Sequence, residues 1–314
     1  MTGRFISTQS VVLNIPLHVD HIPERGASEH ADTATSQPGG GFTTLASVAA
    51  LGIRAAMVSP LGTGPNSFAV RRQLVEAGVE ILTEELVGDI GVAMTLVEAD
   101  GSTTSVVTSG VESEPSRRVL DRVRLEPGDL VHVAGADLTR PASAEVLSTW
   151  ASTLPEGVTL VLSVSPAVDQ VSVWTWKRLL QRADVVTMNI REASMLGRAL
   201  TAAEPGTGIR HVLRPEAAMV RRLGVMGCEV QVDGAQQRVQ VPAFDSVVVD
   251  TAGVGDTHIA VMCAGLLEGR DLVTACRRAN AACALTIAHE SALPVPTREQ
   301  IERVMSEGGV TYSY

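Results

Sequence analysis

The stretch best suited to carry chemistry is a glycine loop followed by an acidic residue. Residues 247–249 are three valines and predict a strand, Gly253 and Gly255 form the loop, and the apolar run at 259–267 predicts a buried helix. A glycine loop at the start of a helix presents free backbone N–H groups and the positive end of the helix dipole. The pattern therefore predicts an anion site, and Asp256 lies within it.

Asp256 has two interpretations from the local residues. A carboxylate repels a bound anion, unless its role is to accept a proton from an attacking hydroxyl, which would make Asp256 a general base. Aspartate is also common as a helix N-cap, where the side chain accepts a hydrogen bond from the first turn. The local sequence leaves both open.

A second glycine loop lies near the N-terminus. Gly39, Gly40 and Gly41 precede an apolar segment at 45–51 that predicts a helix. This loop is a second candidate binding site. The alternative is a flexible connector, which the immediate start of a helix disfavours.

The elements that must position these loops alternate regularly from residue 129 onward. Strands are predicted at 129–134, 158–163 and 184–188, and helices at 141–153, 171–182, 191–199, 257–268, 271–288 and 297–306. Such alternation is typical of an α/β fold of three layers, with a mainly parallel sheet between helices. Because ligands bind beyond the carboxyl ends of parallel strands, we expect the loops at Gly39, Asn189, Leu223 and Thr251 to converge.

Two regions interrupt this alternation. Runs at 91–98 and 103–108, joined through Asp100-Gly101, predict a hairpin. A first strand is predicted at 11–19, with its second half disfavoured by Pro16, and a short polar strand at 33–36. We therefore predict that about 14–36 and 88–110 form a small separate sheet.

The region between residues 209 and 242 predicts a series of short strands. They lie at 211–213, 219–222, 228–232 and 237–241, with Asp233-Gly234 as a hairpin turn.

Composition limits the functional classes. The 314 residues are 45% hydrophobic, enough for a large core, and the whole chain is interpreted as one domain, 1–314. A net charge of −10 without a basic stripe argues against nucleic acid, and no apolar run is long enough for a membrane span. With no secretory signal, we expect a cytoplasmic protein. The four cysteines lack the spacing of zinc ligands and predict buried free thiols.

Five motifs, in order, resemble those of the ribokinase-like (PfkB) carbohydrate kinases. The glycine loop Asp250-Thr251-Ala252-Gly253-Val254-Gly255-Asp256 is similar to the family signature D-T-x-G-A-G-D. The others are Gly39-Gly40-Gly41, Gly62-Thr63-Gly64 with Asn66 and Phe68, Asn189-Ile190-Arg191-Glu192 (N-x-x-E) and Leu223-Gly224-Val225-Met226-Gly227 (L-G-x-x-G). The resemblance covers about residues 11–305. It implies a ribokinase-like fold in which the small sheet is a lid.

The resemblance also implies a reaction. The family transfers the γ-phosphoryl group of ATP to a hydroxyl of a sugar or nucleoside, a reaction that depends on positioning and charge stabilisation. Asp256 would then be the base, and the backbone amides at Ala252, Gly253, Val254 and Gly255 would form the anion hole.

Further ligand-binding residues follow from the same resemblance. Asn189 and Glu192 would order Mg²⁺ through water, and they also match a helix N-cap and its capping box. Nucleotide-side candidates are Arg222, Gly224, Gly227 and Asn280, although Asn280 is equally a polar position on a helix face. A K⁺ site is implied at Asp250 and Ala252, with the segment at 288–292.

The departures from the family lie on the acceptor side. Asn14 stands where the family usually has Asp, Thr43 (or Thr44, in a register shifted by one) stands for an Asn, and Ser163 stands where Asp is frequent. With Gly39, Gly40 and Gly41, Asn14 and Thr43 are the candidate acceptor-binding residues. Amides and hydroxyls bind sugar hydroxyls more weakly than carboxylates do, so a different acceptor is expected.

Two functional hypotheses remain open at this point. The first is an ATP-dependent kinase acting on a small sugar or sugar-like acceptor, or on a nucleoside. The second is a binding or regulatory protein that keeps the kinase fold but has weak or lost catalysis. The resemblance also implies a homodimer formed through the lid.

Overall fold

The computed structural model describes residues 3–31, 33–98, 103–232 and 237–310. Its strands are β1 Phe5–Ser7, β2 Val11–Val19, β3 Thr33–Ala34, β4 Gln37–Gly40, β5 Ala55–Met57, β6 Leu61–Gly62, β7 Glu80–Ile81, β8 Glu85–Leu86, β9 Val92–Glu98, β10 Thr103–Val107, β11 Leu130–Ala134, β12 Thr159–Ser163, β13 Val185–Asn189, β14 Ala218–Arg222, β15 Cys228–Gln231 and β16 Val239–Val241. Its α-helices are α1 Gly41–Ala50, α2 Pro65–Glu76, α3 Arg117–Leu120, α4 Pro141–Ser152, α5 Val173–Leu180, α6 Ile190–Ala203, α7 Ile209–Val212, α8 Val254–Leu267, α9 Leu272–Thr286 and α10 Arg298–Glu307.

A nine-stranded sheet forms the centre, in the order β16-β15-β14-β13-β12-β11-β1-β5-β7. The seven strands from β14 to β7 are parallel, and β15 and β16 join antiparallel at one end. Successive side chains of a strand point to opposite faces, so Phe5 belongs to one buried cluster and Ile6 to another. Helices α1, α8 and α9 cover the first face and α4, α5 and α6 the second. The predicted three-layer α/β architecture is confirmed.

A separate five-stranded sheet is also present, as predicted. Its order is β10-β9-β2-β3, and β4 pairs with β2 beside β3. Strands β9 and β10 are antiparallel, and the turn expected at Asp100-Gly101 lies outside the described residues. The turn expected at Asp233-Gly234 also lies outside them.

Three sequence predictions about strands are wrong. Strand β2 continues through Pro16 to Val19, because its pairing with β4 ends at Asn14 and that with β3 begins at Leu17. The missing N–H of proline therefore interrupts no antiparallel ladder on that side. Residues 211–213 do not form a strand, because Ile209–Val212 form a short helix. Its start is stabilised by a hydrogen bond of 3.1 Å from the Gly208 backbone N–H to Nδ1 of His211.

The third correction concerns the segment before the glycine loop. Val247, Val248 and Val249 are more than half exposed and belong to no strand. Three β-branched residues favour a strand by propensity, but propensity yields to tertiary contacts. Here the N–H of Val249 donates to Ile287 O at 2.7 Å, so the segment packs against the C-terminal end of α9 and does not pair with a sheet.

Candidate active site

A cavity of about 760 Å³ lies at the carboxyl ends of the central parallel strands. Its wall includes Gln9 beyond β1, Gly135 beyond β11, Ser163 at the end of β12, Asn189 at the end of β13 and Gly224 beyond β14. This is where an open parallel sheet binds ligands, and the volume is within the usual range for small-molecule sites.

The residues predicted for the nucleotide side all line this one cavity, together with part of the glycine loop. They are Asn189, Glu192, Arg222, Gly224, Gly227 and Asn280, with Val254, Gly255 and Asp256. The loops at Asn189, Leu223 and Thr251 therefore converge as expected. The loop at Gly39 does not reach this cavity and lies on the side of the small sheet.

Asp256 lies in the first turn of α8, but Gly253, not Asp256, is the N-cap of that helix. The N-cap interpretation of Asp256 is therefore wrong. Its Oδ1 accepts hydrogen bonds from Gln9 Nε2 at 3.0 Å and from Thr44 Oγ1 at 3.2 Å. The Thr44 hydroxyl also lies 3.0 Å from Gln9 Oε1, so its one proton is shared between Gln9 and Asp256, and the carboxylate has a defined orientation.

The surroundings of Asp256 shift its proton affinity in the direction useful to a base. Burial raises the pKa of Asp256, while hydrogen bonds from Gln9 and Thr44 and the charge of Arg222 lower it in part. A carboxylate is a better proton acceptor when its pKa is higher, provided it is ionised at the working pH.

The backbone amides of the glycine loop are not equivalent. The N–H of Ala252 donates to Asp250 Oδ1 at 2.9 Å, and that of Val254 to Thr251 O at 3.4 Å. Within the four described ranges, the N–H groups of Gly253 and Gly255 donate to no acceptor. The N–H groups of the two glycines are therefore available to bind an anion, whereas that of Ala252 already has an acceptor.

Asn189 and Glu192 form a complete capping box at the start of α6. Glu192 N donates to Asn189 Oδ1 and Asn189 N donates to Glu192 Oε2, both at 2.8 Å. Arg222 Nη2 pairs with the same Oε2 at 3.2 Å, and Arg222 Nη1 lies 3.4 Å from Gly255 O. Arg222 thus joins the N-x-x-E motif to the glycine loop.

Arg222→Met should destabilise the protein by about 1–3 kcal/mol at neutral pH, because it leaves the buried Glu192 carboxylate without its cation. Burial raises the pKa of Glu192, and Arg222 opposes that shift. Without Arg222 the pKa of Glu192 rises further, so the loss of stability is complete at pH values above this raised pKa. It shrinks as the pH falls toward the ordinary glutamate value and the group protonates. Denaturant unfolding across pH measures it.

Arg222→Met combined with Glu192→Gln is the control for this prediction, since it removes the charge that was left unpaired. We expect the double variant to recover most of the stability at neutral pH. An Arg222→Met loss that is equal at acid and neutral pH would contradict the electrostatic explanation.

The remaining nucleotide-side candidates differ in character. Gly224 and Gly227 both have positive φ, and a Cβ at Gly227 would lie 2.2 Å from Val241 O. Asn280 is buried and its Nδ2 donates to Val241 O and Pro242 O, both at 2.9 Å. The Asn280 amide therefore holds the end of β16 and the residue after it in place, which is a structural role.

The candidates predicted for the acceptor side lie on strands β2 and β4 of the small sheet and in the first turn of α1. Asn14 is opposite Gln37 in the pairing of β2 with β4, and an added Cβ at Gly39 would be 3.0 Å from Asn14 Cβ. A Cβ at Gly40 would lie 2.4 Å from Ser10 O, and a Cβ at Gly41 would lie 2.7 Å from Gln9 O. Both glycines therefore allow this segment to pack closely against the backbone of residues 9 and 10.

Thr43 and Ser163 occupy different surroundings. Thr43 Cγ2 would lie 3.5 Å from a Cβ at Gly253, which places Thr43 against the glycine loop. Ser163 Oγ is 2.9 Å from Nε2 of His132, whose Nδ1 is 3.1 Å from Ser7 Oγ. Burial lowers the pKa of His132 to about 3, so this row of side chains is neutral.

The segments expected to surround K⁺ are adjacent. Ile287 O accepts from Val249 N at 2.7 Å and from Asp250 N at 3.2 Å, and a Cβ at Gly253 would lie only 2.4 Å from Ala292 Cβ. The loop containing Asp250 and Ala252 therefore packs on the chain after α9.

The chain is similar to known sugar kinases along nearly its whole length. The chain is 29% identical over 295 residues to an uncharacterized sugar kinase, YegV, of Escherichia coli, covering 93% of this chain and 91% of that one. It is 28% identical over 320 residues to the ATP-dependent ribose-1-phosphate kinase of Halopiger xanaduensis, covering 97% and 98%. The ribokinase of Thermotoga maritima superposes with a TM-score of 0.80 at 18% identity, over 98% and 100% of the two chains, which shows the ribokinase-like fold.

The family assignment rests on most of the chain. Residues 11–298 match the pfkB family of carbohydrate kinases, a span that contains the two glycine loops, the capping box and Asp256. No helix in the described part of the chain has the length and hydrophobicity to cross a bilayer. The chain belongs to the pfkB family of carbohydrate kinases.

Proposed function

We propose that this sugar kinase transfers the γ-phosphoryl group of ATP to a hydroxyl of a small sugar or sugar-like acceptor, with Asp256 as the base. The observation that carries the proposal is the position of Asp256. Its carboxylate is oriented by two side chains, has a raised pKa, and lies in the cavity wall with Gly255. Gly253 and Gly255 are the two residues of this loop whose N–H groups have no acceptor among the described residues. A base beside an anion hole is what phosphoryl transfer to a hydroxyl requires.

In the proposed mechanism, the acceptor lies on the small-sheet side of Asp256, among Asn14, the glycines at 39–41 and Thr43. Asp256 accepts the proton of the acceptor hydroxyl as its oxygen attacks the γ-phosphorus and the bond to the ADP oxygen breaks. The N–H groups of Gly253 and Gly255 bind the oxygens of the transferring group. Gln9 and Thr44 keep the carboxylate pointed at the hydroxyl.

The donor side of the proposal uses the cavity residues. Arg222 balances phosphate charge, Gly224 and Gly227 allow the backbone to approach the nucleotide, and Asn280 holds the segment after β16 beneath it. Among the described residues, the hydrogen bonds that reach the Glu192 carboxylate come from Asn189 N and Arg222 Nη2, and both use Oε2. Oε1 would then accept a hydrogen bond from the water shell of Mg²⁺. Mg²⁺ would neutralise phosphate charge. K⁺ would be held by the loop at Asp250 and Ala252 beside 288–292.

The test is a screen of acceptors with ATP and Mg²⁺. Pentoses, hexoses, sugar phosphates and nucleosides are incubated with the protein, ADP release is followed, and the phosphorylated product is identified by mass spectrometry. We expect turnover with a sugar-like acceptor. Turnover with nucleosides alone would make the chain a nucleoside kinase of the same family. A thermal shift with ligands but no turnover would favour a binding or regulatory protein, which the altered Asn14, Thr43 and Ser163 suggest as the second hypothesis.

We also propose a homodimer through the small sheet. Val106 and Val107 lie on its edge strand β10 and are 68% and 63% exposed. An exposed apolar edge strand favours pairing with a second copy. Analytical ultracentrifugation of the purified chain tests this assembly.

A further inference from the structure

Three side chains from three different elements meet beneath the nucleotide cavity. They are Cys228 on β15, His258 on α8 and Cys276 on α9, and their sulfur and ring nitrogen atoms all lie within 4.8 Å of one another. Each residue is at most 2% exposed. The cysteines are too far apart in sequence for their spacing to indicate a metal site.

The imidazole of His258 lacks the partners that a buried histidine normally has. Neither ring nitrogen has a hydrogen-bond partner within the described part of the chain. The other fully buried histidine, His132, contrasts with it, because both of its ring nitrogens are within hydrogen-bond distance of serine hydroxyls. Buried polar groups are nearly always satisfied, so an unpartnered imidazole beside two thiols calls for an explanation.

The chemistry of the three side chains fits a thiophilic cation. Zn²⁺ binds cysteine sulfur at about 2.3 Å and histidine nitrogen at about 2.0 Å in a tetrahedral arrangement, which needs ligand atoms roughly 3.5–4 Å apart. Atoms already within 4.8 Å reach this spacing by small side-chain rotations. Zn²⁺ would bind both cysteines as thiolates.

Hard cations do not suit this set, since Mg²⁺ and Ca²⁺ prefer oxygen ligands. Two thiolates balance the charge of one Zn²⁺, so the assembled site would be neutral and tolerate burial. Binding would release the two thiol protons to solvent. His258 also lines the nucleotide cavity, so the three side chains lie next to its wall.

We propose that Cys228, His258 and Cys276 form a Zn²⁺ site that ties β15 and α9 to α8, the helix that begins at the glycine loop. This site lies apart from the Mg²⁺ and K⁺ positions of the phosphoryl-transfer proposal. Its function is to hold α8 in place beneath the nucleotide.

The test uses tag-free protein, treated with a chelator and kept in a non-thiol reductant. Zn²⁺ is titrated in competition with a chromophoric chelator, and we expect one ion per chain. The Co²⁺ form should show a thiolate-to-metal charge-transfer band, and X-ray absorption of the Zn²⁺ form should show two sulfur ligands and one nitrogen. Zn²⁺ should raise the melting temperature of the parent protein.

Three variants and a control decide the assignment. Cys228→Ser, Cys276→Ser and His258→Phe should each weaken Zn²⁺ binding by roughly 100-fold or more and remove the thermal shift. Cys263→Ala is the matched control, because it removes a buried thiol that is not a proposed ligand, lies on the same helix as His258, and leaves all three ligands in place. Circular dichroism identifies any variant that fails to fold, and the X-ray absorption of the parent remains decisive in that case. Equal binding by His258→Phe and the parent, or coordination without sulfur, would overturn the proposal.

Discussion

Asp256→Asn should lower the rate of phosphoryl transfer by about 10²–10⁴-fold while leaving the protein folded. The amide has nearly the same shape as the carboxylate, and its oxygen can still accept hydrogen bonds from Gln9 and Thr44. It cannot accept the proton of the acceptor hydroxyl. The measurement is kcat and kcat/KM with the acceptor found in the screen, at saturating ATP and Mg²⁺.

Asp271→Asn is the matched control for this substitution. Asp271 is the N-cap of α9 and accepts a hydrogen bond from Thr274 N at 2.9 Å, a role that asparagine fills equally well. We expect this variant to keep the parent rate. If Asp256→Asn also kept a rate within about tenfold of the parent, Asp256 would not be the base.

Asp256→Asn should affect the stability of the protein in the opposite direction from its activity. The pKa of Asp256 is raised in the folded protein, so its ionised form opposes folding at pH values above that pKa. Asp256→Asn should therefore melt at an equal or higher temperature than the parent near neutral pH. This advantage should disappear as the pH falls below the ordinary aspartate pKa, where the parent side chain is neutral in both states.

Gly253→Ala should reduce kcat by about 10²–10³-fold, the usual effect of losing one donor from an anion hole. Gly253 has φ of +69°, and an added Cβ would lie 2.4 Å from Ala292 Cβ. The loop and the chain around residue 292 must both move, so the Gly253 amide is displaced from the anion. Steady-state kinetics and a melting curve separate loss of transfer from loss of folding.

Gly255→Ala provides the comparison within the same loop. Its Cβ would lie 3.5 Å from Arg222 Nη1, an ordinary contact, and its φ is not in the left-handed region. The backbone N–H remains in place, so we expect a much smaller loss of kcat. Adding Ala292→Gly to Gly253→Ala should restore only part of the rate, because the strained φ persists. Equal losses for both glycine substitutions would contradict the proposed role of Gly253.

Much of the donor half of the site could be predicted from the sequence, because it depends on local patterns. Asn189 and Glu192 form the capping box that their spacing predicts, and the loops at Asn189, Leu223 and Thr251 meet at the carboxyl ends of the strands. Strand–helix alternation leads to a parallel sheet, and a parallel sheet brings these loop ends together. The small separate sheet was predictable for the converse reason, since its hairpin broke the alternation.

Contacts between distant residues were not predictable in this way. Gln9 touches Asp256 across 247 positions of sequence, and no local pattern marks Gln9 as part of the site. The valines at 247–249 have strand propensity yet lie exposed, and no strand of the described residues pairs with them. Propensity describes a residue alone, whereas pairing depends on what the rest of the fold places beside it.

By itself, the sequence of this protein determined the order of its elements, the glycine loops and the residue types available to bind phosphate. Only the tertiary structure decided that Asp256 lies after the helix cap and not at it, that Gln9 and Thr44 orient it, and that Cys228, His258 and Cys276 meet. The physical reason is that local periodicity reflects neighbours three or four residues away. The orientation of a side chain in a site is set by packing between elements that are far apart in the chain.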